Sequence, residues 1–340
     1  MKRVVLKKFG PPEEAFEISE APDPIPGNHQ VLIDVEAFGL NFADVLARKG
    51  MYPETPPLPF TPGYEVVGRI VGVGAEVNSE MIGRRVVALT RFGGYASKAV
   101  TDYRALSPIP DDYPAEKALA LGTPGATAWI CFNNRANLRA GDRVLIHAGA
   151  GGVGNTLCQL ALDRGCTVFA TAGSESKLDF LRELGVHHPI NYRKTDYFEA
   201  VKKISSATPL DATFNSLAGK SFKKDLRLLG AGGVLVLYGA AARMGKRNGK
   251  WSAVRFLFQT KFFTPLMLIM GSKTVAGVNV LKLGDRKPQE VADALNEAVK
   301  MAEEGRIQPR VGGRYSVDRL AEAHTKLEER ATTGKVSVFW

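Results

Sequence analysis

A glycine-rich turn between a strand and a helix constrains the fold of this chain more than any other feature. Residues 149–154 read GAGGVG, a G-x-G-x-x-G pattern, and only His147 and Ala148 separate it from the apolar run Val144–Ile146. A helical segment follows over Asn155–Arg164, and a second apolar strand, Thr167–Thr171, completes a strand–helix–strand unit. Glycines in this context permit a tight turn, a close approach to a pyrophosphate and packing of the helix on the strand. The pattern therefore predicts a dinucleotide site, and the following strand argues against glycines that only punctuate a turn.

The rest of the chain divides into a β-rich part and a part in which strands and helices alternate. Residues 1–121 hold short β segments separated by Gly and Pro, which predicts a compact, antiparallel, barrel-like domain. From residue 122 the alternation predicts a doubly wound parallel sheet, beginning after a helix over Ala126–Arg135 and ending with a strand over Thr274–Val280. We predict a first domain of residues 1–122 and 285–340 and a dinucleotide-binding domain of residues 123–284.

The net charge of +10 is concentrated in one stretch of the second domain. Residues 226–284 contain nine Lys and Arg residues and no Asp or Glu. Three interpretations stay open: a solvated surface excursion, contact with an anionic cofactor, or contact with an anionic membrane surface. No nucleic-acid-binding motif accompanies the charge, so we expect no nucleic acid partner. The apolar run at 256–270 is interrupted by Gln, Lys and Pro and is too short for a transmembrane helix.

The cysteines and the N-terminus predict a cytoplasmic protein. Cys131, Cys158 and Cys166 have no paired spacing and lie in helix or strand segments, so we expect buried thiols in a reducing compartment. The first residues are basic but lack the apolar core of a signal peptide.

Several motifs resemble the medium-chain dehydrogenases and reductases along nearly the whole chain. They are residues 38–44 (FGLNFAD), 62–68 (PGYEVVG), 148–154 (AGAGGVG) and 334–336 (GKV). The combination of Asn41–Tyr52 with the glycine loop is similar to the zinc-free quinone oxidoreductase branch, and within it to the vesicle amine transport protein subgroup. The resemblance implies an α/β fold with a GroES-like β-rich catalytic domain and a Rossmann domain.

The residues at the family's zinc positions predict a protein without metal. Zinc-dependent relatives place a Cys where this chain has Asn41 and a His where it has Tyr64, and neither residue here is an ordinary zinc ligand. Three scattered cysteines cannot supply the four-Cys structural site of those relatives. The adjacent His187 and His188 are interpreted as a loop feature rather than a metal site.

The end of the second Rossmann strand favours NADPH over NADH. Enzymes that use NAD place an acid about 20 residues after the glycine loop to bind the ribose hydroxyls, whereas residues 170–174 read ATAGS. In quinone oxidoreductases, the residues matching Lys177 and Tyr192 hold the 2′-phosphate. Glu175 keeps the alternative open, because its carboxylate could bind a ribose instead.

Without zinc to polarise a simple ketone, hydride transfer is expected to acceptors that are already electron-poor, namely quinones and carbonyl-conjugated alkenes. Asn41 and Tyr52 can donate hydrogen bonds to the developing oxyanion, and Asp44 is expected to orient them or the nicotinamide ribose. The tyrosine found two residues after Asp44 in some quinone reductases is Leu46 here, so acceptor preference cannot be transferred. The glycine loop and the end of the second strand place Gly149, Gly151, Gly152, Val153, Gly154, Gly173, Ser174 and Lys177 at the cofactor. The resemblance implies that Asn41, Thr127, Tyr192, Ser216, Tyr238, Gly239, Val278, Asn279 and Arg330 also bind it.

Two functions from different classes remain open. The first is an NADPH-dependent, zinc-independent reductase of quinones or enones. The second is an NADPH-binding factor that works mainly at a membrane or on a partner, which the basic and apolar excursion at 243–273 suggests. We further expect a homodimer joined through the apolar strand at 274–280. The excursion is expected to cover the acceptor site and to bind anionic surfaces weakly.

Overall fold

The computed structural model describes residues 1–206, 208–241 and 264–340, which fold into two compact units. The first unit contains residues 1–126 and 280–340, and the second contains residues 127–279. The predicted fold class is confirmed, since one unit is built on a mostly antiparallel sheet and the other on a parallel sheet. Most of the predicted excursion at 243–273, including the greater part of the apolar run at 256–270, lies outside the described residues.

The first unit is a seven-stranded sheet in the order β14-β15-β3-β4-β5-β7, with β6 paired to β3, beside a separate β1–β2 hairpin. Alternate residues of β3 and β4 point into a core that includes Val31, Ile33, Val66 and Ile70. Its strands, numbered in chain order with the rest of the molecule, are Lys2–Leu6 (β1), Phe16–Glu20 (β2), Gln30–Leu40 (β3), Glu65–Val73 (β4), Arg85–Leu89 (β5), Lys98–Asp102 (β6), Leu106–Pro108 (β7), Val311–Ser316 (β14) and Lys335–Phe339 (β15).

One pair in this sheet departs from the predicted antiparallel pattern. β14 runs parallel to β15, because a helix lies between them along the chain and returns it to the same end of the sheet. The helices of the first unit are Pro12–Ala15 (α1), Phe42–Arg48 (α2), Ala115–Ala120 (α3), Val280–Arg286 (α10), Pro288–Glu303 (α11) and Leu320–Glu328 (α12).

Two helical segments differ from the sequence prediction. The chain forms α2 where no helix was predicted, because Asp44 at its third position accepts a hydrogen bond from the backbone N–H of Asn41 at its start. The helix predicted over Ala126–Arg135 is preceded by α3 and a π-helical turn at Leu121–Gly125, which is kinked at Gly122 (ψ of −121°). It then consists of a helix at Ala126–Trp129 (α4) and a second π-helical turn at Ile130–Ala136. Pro124 lies inside the first π turn, where it cannot donate a backbone hydrogen bond.

The second unit is a six-stranded parallel sheet in the order β10-β9-β8-β11-β12-β13. The chain order reverses between β8 and β11, and ligands of such sheets bind beyond the carboxyl ends of the strands at this point. Its elements are Arg143–Ile146 (β8), Gly152–Asp163 (α5), Thr167–Ala172 (β9), Glu175–Glu183 (α6), His188–Asn191 (β10), Tyr197–Ile204 (α7), Leu210–Asn215 (β11), Lys220–Leu228 (α8), Leu229–Leu237 (β12), Pro265–Gly271 (α9) and Thr274–Gly277 (β13).

The last strand of this sheet is shorter than predicted. β13 ends at Gly277, and Val278 adds one further backbone hydrogen bond to Leu237 at 2.8 Å. α10 then begins at Val280, which removes the following backbone from the sheet. None of the helices in the described ranges is long and apolar enough to cross a membrane.

Candidate functional site

The glycine loop joins β8 to α5 by a left-handed turn. The turn residue is Ala148, with φ of 53°, and not the first glycine as the sequence suggested. Gly149 is needed for space instead, since a Cβ there would lie 2.8 Å from the Cβ of Ala170. A Cβ on Gly154 would lie 2.2 Å from the carbonyl oxygen of Ala148, so the third glycine lets α5 pack on the turn. Gly149 and Gly154 are thus required for space, and the role of Gly149 differs from the one expected.

Gly151 has few neighbouring atoms on the side where a side chain would lie. A Cβ there would contact only the Ala148 carbonyl oxygen, at 3.3 Å, and no other atom within 4 Å. α5 starts at Gly152, earlier than predicted, so the N–H groups of Gly152 and Val153 belong to its first turn. These N–H groups carry the partial positive charge of a helix N-terminus. A ligand phosphate fits this position without displacing a side chain.

The ends of β9 and β10 bring the predicted 2′-phosphate residues into one neighbourhood. Gly173 follows β9, and a Cβ on it would lie 2.6 Å from the Tyr192 hydroxyl. Ser174 is the N-terminal cap residue of α6, and Lys177 lies in the first turn of that helix.

Glu175 has its own partners at this edge of the sheet. Its carboxylate forms an ion pair with Lys194 at 2.7 Å and accepts a hydrogen bond from the Asn191 side chain at 3.0 Å. The hydrogen bond from Lys194 holds the pKa of Glu175 below its usual value. A carboxylate engaged in this way is less available for a ribose hydroxyl.

Most of the other predicted cofactor residues lie just after strands β11, β12 and β13 of the second unit. Ser216 follows β11, and its carbonyl oxygen accepts the backbone N–H of Ala241 at 3.0 Å. A Cβ on Gly239 would lie 2.8 Å from the same oxygen, so glycine permits the ends of β11 and β12 to meet. Burial raises the pKa of the Tyr238 hydroxyl, which lies within hydrogen-bonding reach of Ser216. Val278 and Asn279 follow β13, the neighbouring strand, and Thr127 is buried in α4 of the same unit.

In the first unit, Asn41 and Asp44 lie at the start of α2. The Oδ2 atom of Asp44 accepts the Asn41 backbone N–H at 2.7 Å, and the buried carboxyl group lies close to the Tyr95 hydroxyl. Burial raises the pKa of Asp44 from 3.8 to about 8, because the charged form is deprived of water. Burial thus favours the protonated, neutral form of Asp44, which the sequence did not reveal.

A buried ion pair that the sequence reasoning missed holds the Asn41 side chain. Lys335 of β15 forms an ion pair with Glu65 of β4, and both side chains are excluded from solvent. The Asn41 amide donates to Glu65 Oε1 at 2.8 Å, and its oxygen accepts from Lys335 Nζ at 3.0 Å. Glu65 also accepts the backbone N–H of Thr123 at 3.0 Å. The Asn41 amide is thus fixed in orientation, with one of its two N–H bonds used.

Gly39 leaves room for the pair of Glu65 and Lys335 because it has no side chain. A Cβ on Gly39 would lie 2.1 Å from Glu65 Oε1 and 2.4 Å from Lys335 Cε. All three residues belong to motifs at 38–44, 62–68 and 334–336 that carried the family resemblance. The signal was therefore present in the sequence, although it did not indicate that the three segments meet.

Tyr52 lies in the same unit, half-buried, with its ring edge-on to the Tyr64 ring at a centroid distance of 6.1 Å. Burial, together with the charges of Glu54 and Asp44, raises the pKa of Tyr52 above its usual value. Leu46 is buried in α2. Arg330 follows α12 with a left-handed backbone, φ of 58°.

The structure shows the state of the three cysteines and the grouping of possible metal ligands. Cys131, Cys158 and Cys166 are free and buried, as predicted. Burial raises the pKa of Cys166 to about 11, so that thiol is protonated at neutral pH. Within the described part of the chain no group of three His, Cys, Asp or Glu residues could hold a metal ion.

Two family descriptions match the chain. Residues 27–111 match the alcohol dehydrogenase GroES-like domain, and residues 152–300 match the zinc-binding dehydrogenase family. The synaptic vesicle membrane protein VAT-1 homolog of Rattus norvegicus is 34% identical over 99% of this chain and 83% of its own length. The quinone oxidoreductase of Pongo abelii is 31% identical over 99% of this chain and 97% of its own length.

The chain belongs to the quinone oxidoreductase branch of the medium-chain dehydrogenases and reductases. It is therefore an oxidoreductase of that superfamily, and its β-rich unit is the GroES-like domain. Among solved structures, that of mycobacterial Rv1454c complexed with NADPH has a TM-score of 0.87 and 29% identity, with full coverage of both chains. The predicted family and fold class are confirmed.

Proposed function

We propose that this protein is an NADPH-dependent oxidoreductase that delivers hydride to quinones or to carbonyl-conjugated alkenes without a metal ion. The observation that carries the proposal is the glycine loop, in which Gly151 leaves the first N–H groups of α5 accessible while Gly149 and Gly154 are packed against the chain. That arrangement fits the pyrophosphate of a dinucleotide. When bound, the nicotinamide supplies the hydride, and the protein binds, orients and protonates the acceptor.

The 2′-phosphate of NADPH is assigned to the residues after β9 and β10. Ser174 and Lys177 offer a hydroxyl and a positive charge at the start of α6, and Tyr192 lies against Gly173. Glu175 would repel a phosphate, but its ion pair with Lys194 reduces that effect. The family neighbour solved with NADPH supports the same choice of cofactor.

The acceptor is assigned to the polar residues of the first unit. The Asn41 amide keeps one N–H beyond its bond to Glu65, and this N–H can donate to an oxyanion. Tyr52 is protonated at neutral pH, as a phenol ordinarily is, and can donate a hydrogen bond to the acceptor, although its raised pKa makes it a weaker proton donor than a free tyrosine. Asp44 positions the backbone at Asn41 through the bond that it accepts. Hydrogen bonds from these side chains suit an acceptor that is already electron-poor, because they polarise a carbonyl less than a metal ion does.

The test is a fluorescence titration of the protein with NADPH and with NADH. We expect NADPH to bind at least about tenfold more tightly, because one charge-assisted hydrogen bond contributes about 1.5–3 kcal/mol. Lys177→Ala should abolish most of the preference, whereas Lys203→Ala, which removes an exposed lysine at the end of α7, should not. Equal affinities for the two cofactors, or equal effects of the two substitutions, would contradict the assignment.

A second function, contact with an anionic membrane surface, is favoured by one observation. α9 exposes four large apolar side chains, Leu266, Met267, Ile269 and Met270, and it carries no acidic residue. Exposed apolar residues beside an excess of positive charge suit a bilayer interface. Sedimentation with phosphatidylserine vesicles should decrease for Ile269→Ser/Met270→Ser. Sedimentation that is equal with neutral vesicles, or unchanged in the variant, would remove this candidate.

A further inference from the structure

A buried histidine–aspartate pair lies directly beneath the glycine loop of the second unit. His147 follows β8 and is 1% exposed, and Asp225 of α8 is fully buried. The Nε2 atom of His147 is 3.0 Å from Asp225 Oδ2 and 3.1 Å from Oδ1. The Tyr197 hydroxyl donates to Asp225 at 2.8 Å, and its ring meets the His147 ring edge-on. Nothing in the proposed hydride transfer uses this pair.

One set of hydrogen bonds connects the pair to the glycine loop. The Nδ1 atom of His147 is 3.3 Å from the Thr171 hydroxyl, which accepts the backbone N–H of Ala148 at 3.3 Å. Thr171 also holds the next residue, since its carbonyl oxygen accepts the Gly149 N–H at 3.0 Å. Because Asp225 accepts from Nε2, that nitrogen carries a hydrogen, and Nδ1 shares a hydrogen bond with the Thr171 hydroxyl. The oxygen of Thr171 then remains free to accept from Ala148.

A second set connects the pair to the loop after β11. The side-chain amide of Asn215 donates to Asp225 Oδ2 and to the Ser221 hydroxyl. Its oxygen accepts the backbone N–H groups of Leu217 and Ala218 at 2.7 and 2.8 Å. Ala218 has φ of 56°, so this loop, like the glycine loop, contains an alanine in the left-handed region. Alanine is disfavoured there, and such a conformation persists where neighbouring groups hold it.

We propose that the His147–Asp225 pair is a positioning centre that holds both the glycine loop and the 215–218 loop in the conformation that binds the dinucleotide. This inference rests on the proposed NADPH site. The two loops end β8 and β11, the neighbouring strands between which the chain order reverses. A single carboxylate therefore determines the backbone of both walls of the expected binding crevice.

The test compares four variants of the full chain. Asp225 accepts hydrogen bonds from His147, Tyr197 and Asn215. Asp225→Asn introduces a side chain that also donates, which favours the opposite tautomer of His147. Thr171→Val removes the link to the glycine loop alone, and Thr171→Ser restores the hydroxyl. Thr213→Val is the matched control, because the Thr213 hydroxyl of β11 is also buried but has no hydrogen-bond partner among the described residues.

Two measurements are made on each variant: backbone amide exchange in the cofactor-free protein, and the Kd for NADPH. For Asp225→Asn we expect faster exchange in both loops and about tenfold weaker NADPH binding. For Thr171→Val we expect faster exchange at 147–151 only, with a smaller loss of affinity that Thr171→Ser reverses. Thr213→Val should leave both measurements unchanged. The ¹⁵N shifts of the His147 ring should report the tautomer change in Asp225→Asn.

The outcomes separate this inference from the proposed function. Unchanged exchange in both loops of Asp225→Asn, or the same effects from Thr213→Val as from Thr171→Val, would overturn the positioning role. If the wild type binds no NADPH while Asp225→Asn and Thr171→Val show the expected changes in amide exchange, the proposed function is overturned and the role of the pair in setting the two loops is supported.

Discussion

Burial of Asp44 makes the free energy of unfolding depend on pH, and comparison with Asp44→Asn measures this dependence. The side chain is 1% exposed and its pKa is about 8 instead of 3.8, because burial penalises the carboxylate. The folded protein therefore keeps a proton that the unfolded chain releases. As the pH rises from about 4 to about 8, the free energy of unfolding falls on account of this group. Asparagine cannot ionise, so the variant lacks this decline, and its oxygen can still accept the Asn41 N–H.

The size of the effect follows from the shift. Each pKa unit corresponds to about 1.4 kcal/mol, so a rise from 3.8 to about 8 amounts to about 5–6 kcal/mol at and above pH 8. The free energy of unfolding of Asp44→Asn minus that of the wild type should therefore increase by about 1.4 kcal/mol for each pH unit between roughly pH 5 and pH 7, and then become constant above roughly pH 9.

The assay is urea unfolding of both proteins across this pH range, followed by tryptophan fluorescence, with Trp340 in the same unit as Asp44. Asp34→Asn, which removes an exposed carboxylate from β3, controls for the loss of one negative charge. A difference that does not change with pH would refute the reasoning, since it would mean that Asp44 is ionised throughout. A difference that decreases as the pH rises would mean that folding lowers the pKa of Asp44 instead of raising it.

Three further predictions concern the buried ion pair, the proposed independence from metal and the last strand of the Rossmann sheet. Lys335→Met should destabilise the protein by about 3–5 kcal/mol in urea unfolding, because Glu65 is left buried and unpaired, and the double variant with Glu65→Gln should recover most of this loss; equal stability of the single and double variants would contradict the pairing. NADPH oxidation should survive treatment with a strong chelator, and stoichiometric zinc by elemental analysis together with loss of activity would contradict the metal-free proposal. The protein should be a homodimer through β13, the last strand of its sheet, and a monomer by light scattering at micromolar concentration would exclude this.

The Rossmann unit could be predicted because its signals are local. The strand before the glycine loop, the helix after it and the second strand are adjacent in sequence, and each has its own hydrophobic pattern. The details of the loop could not be predicted in the same way. Thr171 accepts the backbone N–H groups of both Ala148 and Gly149 beside the left-handed turn, and a motif of glycines does not indicate that an alanine has this conformation.

The polar site of the first unit was predicted only in part. Asn41, Asp44 and Tyr52 came from the family resemblance, but the raised pKa of Asp44 depends on the packing that buries it. The ion pair between Glu65 and Lys335 joins residues 270 positions apart, so only the folded sheet brings β4 and β15 to the same place. Side-chain pairs of this kind depend on sheet order, which hydrophobic periodicity does not determine.

The central claim is that this chain reduces electron-poor acceptors with NADPH. The most direct measurement is the loss of nicotinamide absorbance when NADPH, protein and an ortho-quinone or a linear enone are mixed in the presence of chelator. We predict turnover with at least one acceptor, slower turnover with NADH, and a marked loss in Asn41→Ala, which removes the proposed oxyanion donor. Tight NADPH binding without turnover of any acceptor would contradict the claim and leave the protein as a nucleotide-binding factor.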